Sequence, residues 1–196
     1  MDVLERHLTA LPDNPSAEVS AALNDSDEDV RQPIRQEWGI LSEEAAPRLA
    51  RGSYVVALYA AYESGITELA ASLQRRVGEG LALQDIRGGT FIDRARKYFD
   101  IVLQIPLCPD EAQWSTIVEL ALVRHASAHA NGRVIGLSSK GKRILNAMQQ
   151  RGDAREYWGS IAIEAPYLRR ALQAVDTCMR DLIERTRAPR LGPGSS

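Results

Sequence analysis

The chain is poor in cysteine, histidine and aromatic residues, and it has no long apolar run. Its 196 residues include 2 Cys and 3 His, and aromatic residues make up 6%. Cys108 and Cys178 have neither metal-ligand spacing nor a disulfide-rich context, so we interpret both as reduced thiols packed among apolar neighbours. The longest apolar run, residues 55–62, is too short to span a bilayer, and the acidic start does not resemble a signal peptide. We therefore expect a cytoplasmic protein.

The chain also lacks a large excess of either charge, but its charges are unevenly distributed. The net charge is −2, but residues 1–50 contain 4 Arg and 11 acidic residues, whereas residues 51–196 contain 20 basic and 15 acidic residues. The chain lacks the dense Lys/Arg stripe of a dedicated duplex binder, and ordinary solvated helix faces account for the asymmetry equally well. We divide the chain into an acidic helical arm (1–50), a helical domain (51–188) and a disordered tail (189–196).

Hydrophobic residues make up 44% of the chain, which is enough for one sizeable core, and nearly every periodic segment has the helical period. A stretch over residues 30–49 is expected to be limited or bent by Pro33, Gly39 and Pro47. Further helices are predicted over 53–77, 90–104, 110–130, 142–150 and 166–187. Residues 134–137 and 160–163 are predicted to pair as a small ribbon. The fold class is therefore predicted to be all-α, an up-down bundle of four to five long helices.

The most unusual segment is residues 122–133 (LVRHASAHANGR), which places two of the three histidines and two arginines in an otherwise apolar helix. Arg and His are seldom buried unless they are paired. A cluster of them in an apolar helix therefore indicates a site that binds an anion or transfers a proton.

Arg124 followed by four residues and His129, ahead of Asn131, resembles the Arg-x4–6-His signature of the HEPN superfamily, which includes RNase toxins. The polar residue that usually follows the arginine in that family is His125 here. The order of elements over residues 50–187, with Glu63 on the preceding long helix, is also similar. The resemblance implies an endoribonuclease that needs no metal or cofactor, works as a homodimer on RNA, and belongs to toxin–antitoxin or phage-defence systems, with an antitoxin or another protein as partner.

The residues suit that chemistry. His129 is a candidate for acid–base catalysis during attack of the ribose 2′-hydroxyl on its neighbouring phosphate, and Arg124 can bind phosphate oxygens through its planar guanidinium. On an ideal helix these two residues point about 140° apart. Either the helix ends or distorts between them, or two chains combine their motifs, and the resemblance implies the second arrangement. Glu63 is a candidate to line the cleft and to orient Arg124 or a histidine.

Each candidate also has a purely structural interpretation. Arg124 can pair with Glu119 or Glu63, and His129 can simply favour the helix dipole. Asn131 and Arg133 are candidates for RNA binding, although Arg133 also fits an exposed loop. Three tyrosines can stack on bases, but their helical spacing is more typical of core residues: Tyr54, Tyr59 and Tyr62.

Two alternative functions follow from the same residues. His125 and His129 have the i, i+4 spacing of a helical zinc site, but no third ligand is evident nearby. A HEPN-like chain without catalysis can also serve as an interaction or scaffold module. The acidic arm can extend a dimer interface, cover the cleft or dock a partner, and the sequence leaves these three roles open.

Overall fold

The computed structural model describes residues 45–130, 133–135, 137–157 and 159–187, apart from the side chains of His129 and Ala130. The chain forms two compact units, residues 1–54 and 55–196. The described part is mostly helical, with five α-helices and one two-stranded ribbon: α1 (Ala46–Val77), α2 (Phe91–Lys97), α3 (Glu111–Ala130), α4 (Ser139–Gln150), β1 (Ala154–Tyr157), β2 (Ser160–Ile163) and α5 (Ala165–Arg187).

Helix α1 begins seven residues earlier than predicted. Pro47 was expected to limit or bend the preceding stretch, but it is the second residue of α1. Proline is tolerated there because the N–H that it lacks has no partner in the first turn of a helix. The predicted end is confirmed, since Gly78 follows the last residue and has a φ of 69°. Within the second unit, one face of α1 is buried: Val55, Leu58, Tyr59, Tyr62, Ile66, Ala70 and Leu73.

Helix α2 begins at the predicted capping box. The Thr90 hydroxyl accepts a hydrogen bond from the Asp93 N–H, and the Asp93 carboxylate accepts one from the Thr90 N–H. After Lys97 the chain continues as a short π-helical turn, Tyr98–Val102, which buries Tyr98 and Phe99. Shortly after this turn, Gln104 adopts a left-handed conformation with a φ of 53°.

Helices α3 and α5 pack against each other and form the centre of the second unit. Asp110 caps α3 as predicted, accepting hydrogen bonds from the N–H groups of Ala112 and Gln113. Helix α1 approaches α5 closely, since a Cβ on Gly65 would lie 3.0 Å from the Met179 Cε. Both predicted thiols are buried and free, Cys108 before α3 and Cys178 on α5.

The ribbon has a different first strand from the one predicted. Residues 160–163 do form a strand, but β2 pairs antiparallel with β1, with Ala154 opposite Ile163 and Tyr157 opposite Ser160. The described residues of the predicted partner, 134–137, form no strand. Val134 donates a backbone hydrogen bond to the Gly159 carbonyl, and the preceding residue, Arg133, forms a bridge with Ser160. The short connection explains the outcome, because two strands separated by two residues are suited to form a β-hairpin.

None of the described helices has the length and apolar character needed to cross a membrane. Most of the predicted acidic arm, residues 1–44, lies outside the described residues, as does the predicted tail. Residues 131 and 132, the predicted stop of α3, also lie outside them. The last described residue of that helix is Ala130.

Candidate functional site

A cleft of about 400 Å³ lies where α1, the start of α2, α3 and the start of α4 meet. Its apolar wall comes mainly from Phe91, Val118 and Leu122. Its polar side chains come from all four elements: Glu63, Thr90, Asp93, Arg124, His125, Ser138 and Lys140. Three of the predicted site residues, Glu63, Arg124 and His125, therefore line one cavity.

Arg124 contacts an aromatic ring in this cleft and pairs with no carboxylate of the described residues. Its guanidinium carbon lies 5.3 Å from the ring centroid of Tyr59, which is a cation–π contact. Among the described residues it makes no ion pair, so the structural interpretation that paired it with Glu119 or Glu63 is wrong. The half-buried Arg124 thus has guanidinium donors that no described side chain uses.

Tyr59 is a buried residue, as its helical spacing suggested, but it also belongs to the cleft. Burial and the neighbouring Glu63 raise the pKa of Tyr59 to about 12, although Arg124 acts in the opposite direction. The hydroxyl therefore stays protonated at neutral pH and is a hydrogen-bond donor in the cleft. Tyr62, three residues further along α1, is part of the core, with 1% of its surface exposed.

Glu63 lines the cleft from α1 and is a half-buried residue. Within the described part of the chain the carboxylate makes neither an ion pair nor a hydrogen bond, because the one bond to this residue goes to its backbone carbonyl. The expectation that Glu63 lines the cleft therefore agrees with the structure, whereas no described ion pair joins it to Arg124 or to His125.

Asp93 lies in the same cleft but is already used by the fold. Its Oδ2 accepts hydrogen bonds from the Thr90 N–H and hydroxyl, at 2.9 and 2.7 Å. Although burial opposes ionisation, these bonds lower the pKa of Asp93 below its ordinary value. Of the two carboxylates in the cleft, Glu63 is the one with neither oxygen hydrogen-bonded to a described residue.

The two histidines of the signature segment are placed differently. His125 lines the cleft with an exposed side chain. Helix α3 continues through Ala130, so the backbone of His129 lies about 140° round the helix axis from that of Arg124. The helix therefore neither ends nor breaks between the two residues, which removes one of the two arrangements considered from the sequence.

Of the two predicted RNA-binding residues, Arg133 does not line the described cleft. Arg133 is exposed after the end of α3 and joins the ribbon through its backbone. Asn131 lies outside the described residues. Lys140 and Ser138, at the start of α4, are cleft residues that the sequence analysis missed, because they are 14 or more positions from the signature arginine and no local motif links them to it.

A second charged group, which we call the paired cluster, consists of Glu119, Arg151, Asp153 and Arg170. Arg170 contacts both carboxylate oxygens of Asp153, at 2.6 and 2.7 Å, and Arg151 contacts Glu119 at 2.6 Å and Asp153 at 2.8 Å. Glu119 and Asp153 are 7% and 2% exposed. Burial opposes ionisation, but hydrogen bonds from Arg170 and Arg151 lower the pKa of Asp153. The cluster joins α3, the start of the ribbon and α5.

No group of three potential metal ligands occurs among the side chains that the structure describes, a set that omits His129. The chain matches no family model, no curated protein and no solved structure.

Proposed function

We propose that this chain is a HEPN-type, metal-independent endoribonuclease that acts as a homodimer, as a toxin held by an antitoxin or as a component of phage defence. The observation that carries the proposal is the placement of Arg124. Its guanidinium lines a cleft beside His125 and pairs with no described carboxylate. A half-buried arginine that lies over an aromatic ring and pairs with no described side chain is suited to binding a phosphate.

The proposed reaction needs proton transfer and charge stabilisation. The ribose 2′-oxygen attacks the adjacent phosphorus as a base removes its proton, and the bond from phosphorus to the 5′-oxygen breaks as an acid protonates that oxygen. The products are a 2′,3′-cyclic phosphate and a 5′-hydroxyl. His129 is the proposed acid–base group, His125 is a second imidazole at the cleft, and Arg124 stabilises the charge on the phosphorane.

The regular course of α3 supports a site built from two chains. Because Arg124 and His129 lie about 140° apart on one helix, a second protomer is needed to bring an arginine and a histidine to the same phosphate. Ile135, which follows α3, is 81% exposed, and a second chain packed there would cover it. In this proposal the bundle of α1 to α5 is HEPN-like, and two signatures form one composite cleft.

The direct test is cleavage of varied RNAs by the purified protein in excess EDTA. We expect cleavage that survives EDTA, leaves 2′,3′-cyclic phosphate ends and is lost in folded Arg124→Ala and His129→Ala variants. Arg180→Ala is the matched control, because Arg180 lies on the exposed side of α5 and pairs with Asp176. No cleavage, or equal cleavage by all variants, would favour a binding or scaffold module instead.

A mixed dimer tests the composite site. A heterodimer of one Arg124→Ala chain and one His129→Ala chain keeps one cleft with an intact arginine and an intact histidine, each from a different protomer. We expect this heterodimer to regain cleavage that neither homodimer has. An inactive heterodimer would show that both groups must come from one chain.

A further inference from the structure

Two opposite charges share the cleft without pairing with each other. Glu63 and Arg124 are both half-buried, and neither forms an ion pair with a described residue. A charged group that is partly removed from water costs free energy unless another group compensates it. A ligand that compensates both must present hydrogen-bond donors to the carboxylate and a negative group or acceptor to the guanidinium. Nucleotides combine these two features.

The cleft has room for one nucleotide and not for a duplex. Its volume of about 400 Å³ is at the lower end of the range for ligand pockets. Phe91, Val118 and Leu122 supply an apolar surface against which the face of a base can lie. Unpaired bases are commonly bound in this way, with the ring against aromatic or apolar side chains and the edge read by hydrogen bonds.

A carboxylate discriminates among the four bases by the order of donors on the Watson–Crick edge. Guanine presents two adjacent donors, N1–H and the N2 amino group, and a carboxylate can accept from both. Adenine and cytosine present one amino group beside a ring-nitrogen acceptor, and uracil presents one N–H between two carbonyls. An acceptor facing Glu63 would be repelled, so only guanine satisfies both oxygens.

From this arrangement we infer that the cleft is a guanine subsite that receives an unpaired guanosine of the RNA. Glu63 accepts hydrogen bonds from N1–H and the N2 amino group, the ring lies against the apolar wall, and Arg124 faces the phosphate. The inference rests on the proposed function and names the nucleotide that the same site selects. It gives Glu63 a specificity role in place of the orienting role expected from the sequence.

Equilibrium binding separates this inference from catalysis. The full chain is titrated calorimetrically with the 3′-monophosphates of guanosine, adenosine, cytidine, uridine and inosine. We expect guanosine 3′-monophosphate to bind at least about tenfold more tightly than the other three standard nucleotides, since a site that hydrogen-bonds a group rejects analogues without it. Inosine 3′-monophosphate keeps N1–H but lacks the N2 amino group, so its affinity should be intermediate.

The variant pair is Glu63→Gln and Glu68→Gln. Glutamine replaces one carboxylate oxygen by an NH₂ group, which meets a donor of guanine, so Glu63→Gln should lose the preference for guanosine. Glu68→Gln removes a charge from the same helix but outside the cleft, and it should keep the preference. Equal binding of all nucleotides, no binding of any of them, or an unchanged preference in Glu63→Gln would overturn the inference.

The outcomes of the two proposals are distinguishable. Nucleotide-independent binding together with EDTA-resistant, Arg124-dependent cleavage overturns the guanine subsite and leaves the nuclease proposal. Selective guanosine binding without cleavage of any RNA overturns the nuclease proposal and retains the guanine subsite. The test is completed with oligonucleotides that contain or lack one unpaired guanosine. If the protein selects the free nucleotide but not the guanosine-containing oligonucleotide, the ligand is a free guanine nucleotide, and the inference that the cleft receives a guanosine of RNA is overturned.

Discussion

Helix α3 carries two charged regions that differ in how their charges are satisfied. In the paired cluster, Glu119 and its neighbours contact one another at 2.6–3.4 Å. In the cleft, Arg124 is only five residues away along the same helix, and it contacts the ring of Tyr59 and no described carboxylate. Residue type and helix position therefore do not determine whether a charged side chain stabilises the fold or stays available to bind a ligand. The partners supplied by other elements do.

The largest expected effect comes from the cleft. Replacing Arg124 with alanine should reduce RNA cleavage by about 10²–10³-fold, because the donor that stabilises the developing charge is lost. The free energy of unfolding should fall by no more than about 1 kcal/mol, since the cation–π contact with Tyr59 is lost but no described ion pair is broken. Arg124→Lys should be intermediate, because lysine keeps the charge but not the planar fork. Cleavage rates and urea unfolding of the same proteins provide the check, and a severely unstable Arg124→Ala protein would contradict the distinction between the two regions.

The paired cluster should show the reverse behaviour. Asp153→Ala removes one of the two buried carboxylates that pair with Arg151 and Arg170 and leaves only Glu119, so we expect a loss of about 2 kcal/mol in the free energy of unfolding. Glu63→Ala, the matched removal of a carboxylate from the cleft, should cost less than about 0.5 kcal/mol. Urea unfolding measures both values. Equal losses in the two variants would mean that Glu63 has a structural partner after all.

Within the cleft, Thr90→Ala tests the role of Asp93, whose carboxylate is hydrogen-bonded to Thr90. Thr90 caps α2 through Asp93, and loss of such a cap costs about 1 kcal/mol. Guanosine selectivity should persist, because Glu63 is unchanged. Thermal unfolding and nucleotide titration of this variant measure the two quantities, and a lost selectivity would show that the ligand contacts Asp93 or depends on the position of α2.

The smallest expected effect is on the acid dependence of stability. The pKa of Asp153 in the folded protein lies below its ordinary value of 3.8, so the unfolded chain binds this proton first as the pH falls. The stabilisation is therefore complete above that ordinary value and is lost as the pH falls through the folded pKa. The stability difference between wild type and Asp153→Asn should shrink as the pH falls below 3.8. A constant difference in unfolding free energy across that range would show that the ionised Asp153 carboxylate is not the source of the stabilisation.

The helices were largely predictable from the sequence because their signals are local. The Thr90 and Asp110 caps and the Gly78 stop each act within a few residues, and the structure confirms them. The first strand of the ribbon was not predicted, since residues 154–157 carry mixed polar and apolar side chains whose pairing depends on the adjacent turn.

The cleft was predictable only in part. Arg124 and His125 stand out in an apolar helix, and the helical period placed Glu63 on the preceding long helix. Lys140 lies beyond the end of α3 and joins the cleft through the packing of α4. The paired cluster joins residues 119, 151, 153 and 170, and no periodicity in the sequence connects charges at such separations.

The paired cluster also affects how the cleft encounters a ligand. It fixes α3 to the ribbon and to α5, so the backbone under Arg124 is ordered before any ligand arrives. A rigid support of this kind avoids the entropy loss of folding a loop around the ligand. Association should therefore be a single fast step limited by encounter, without a slow closing phase.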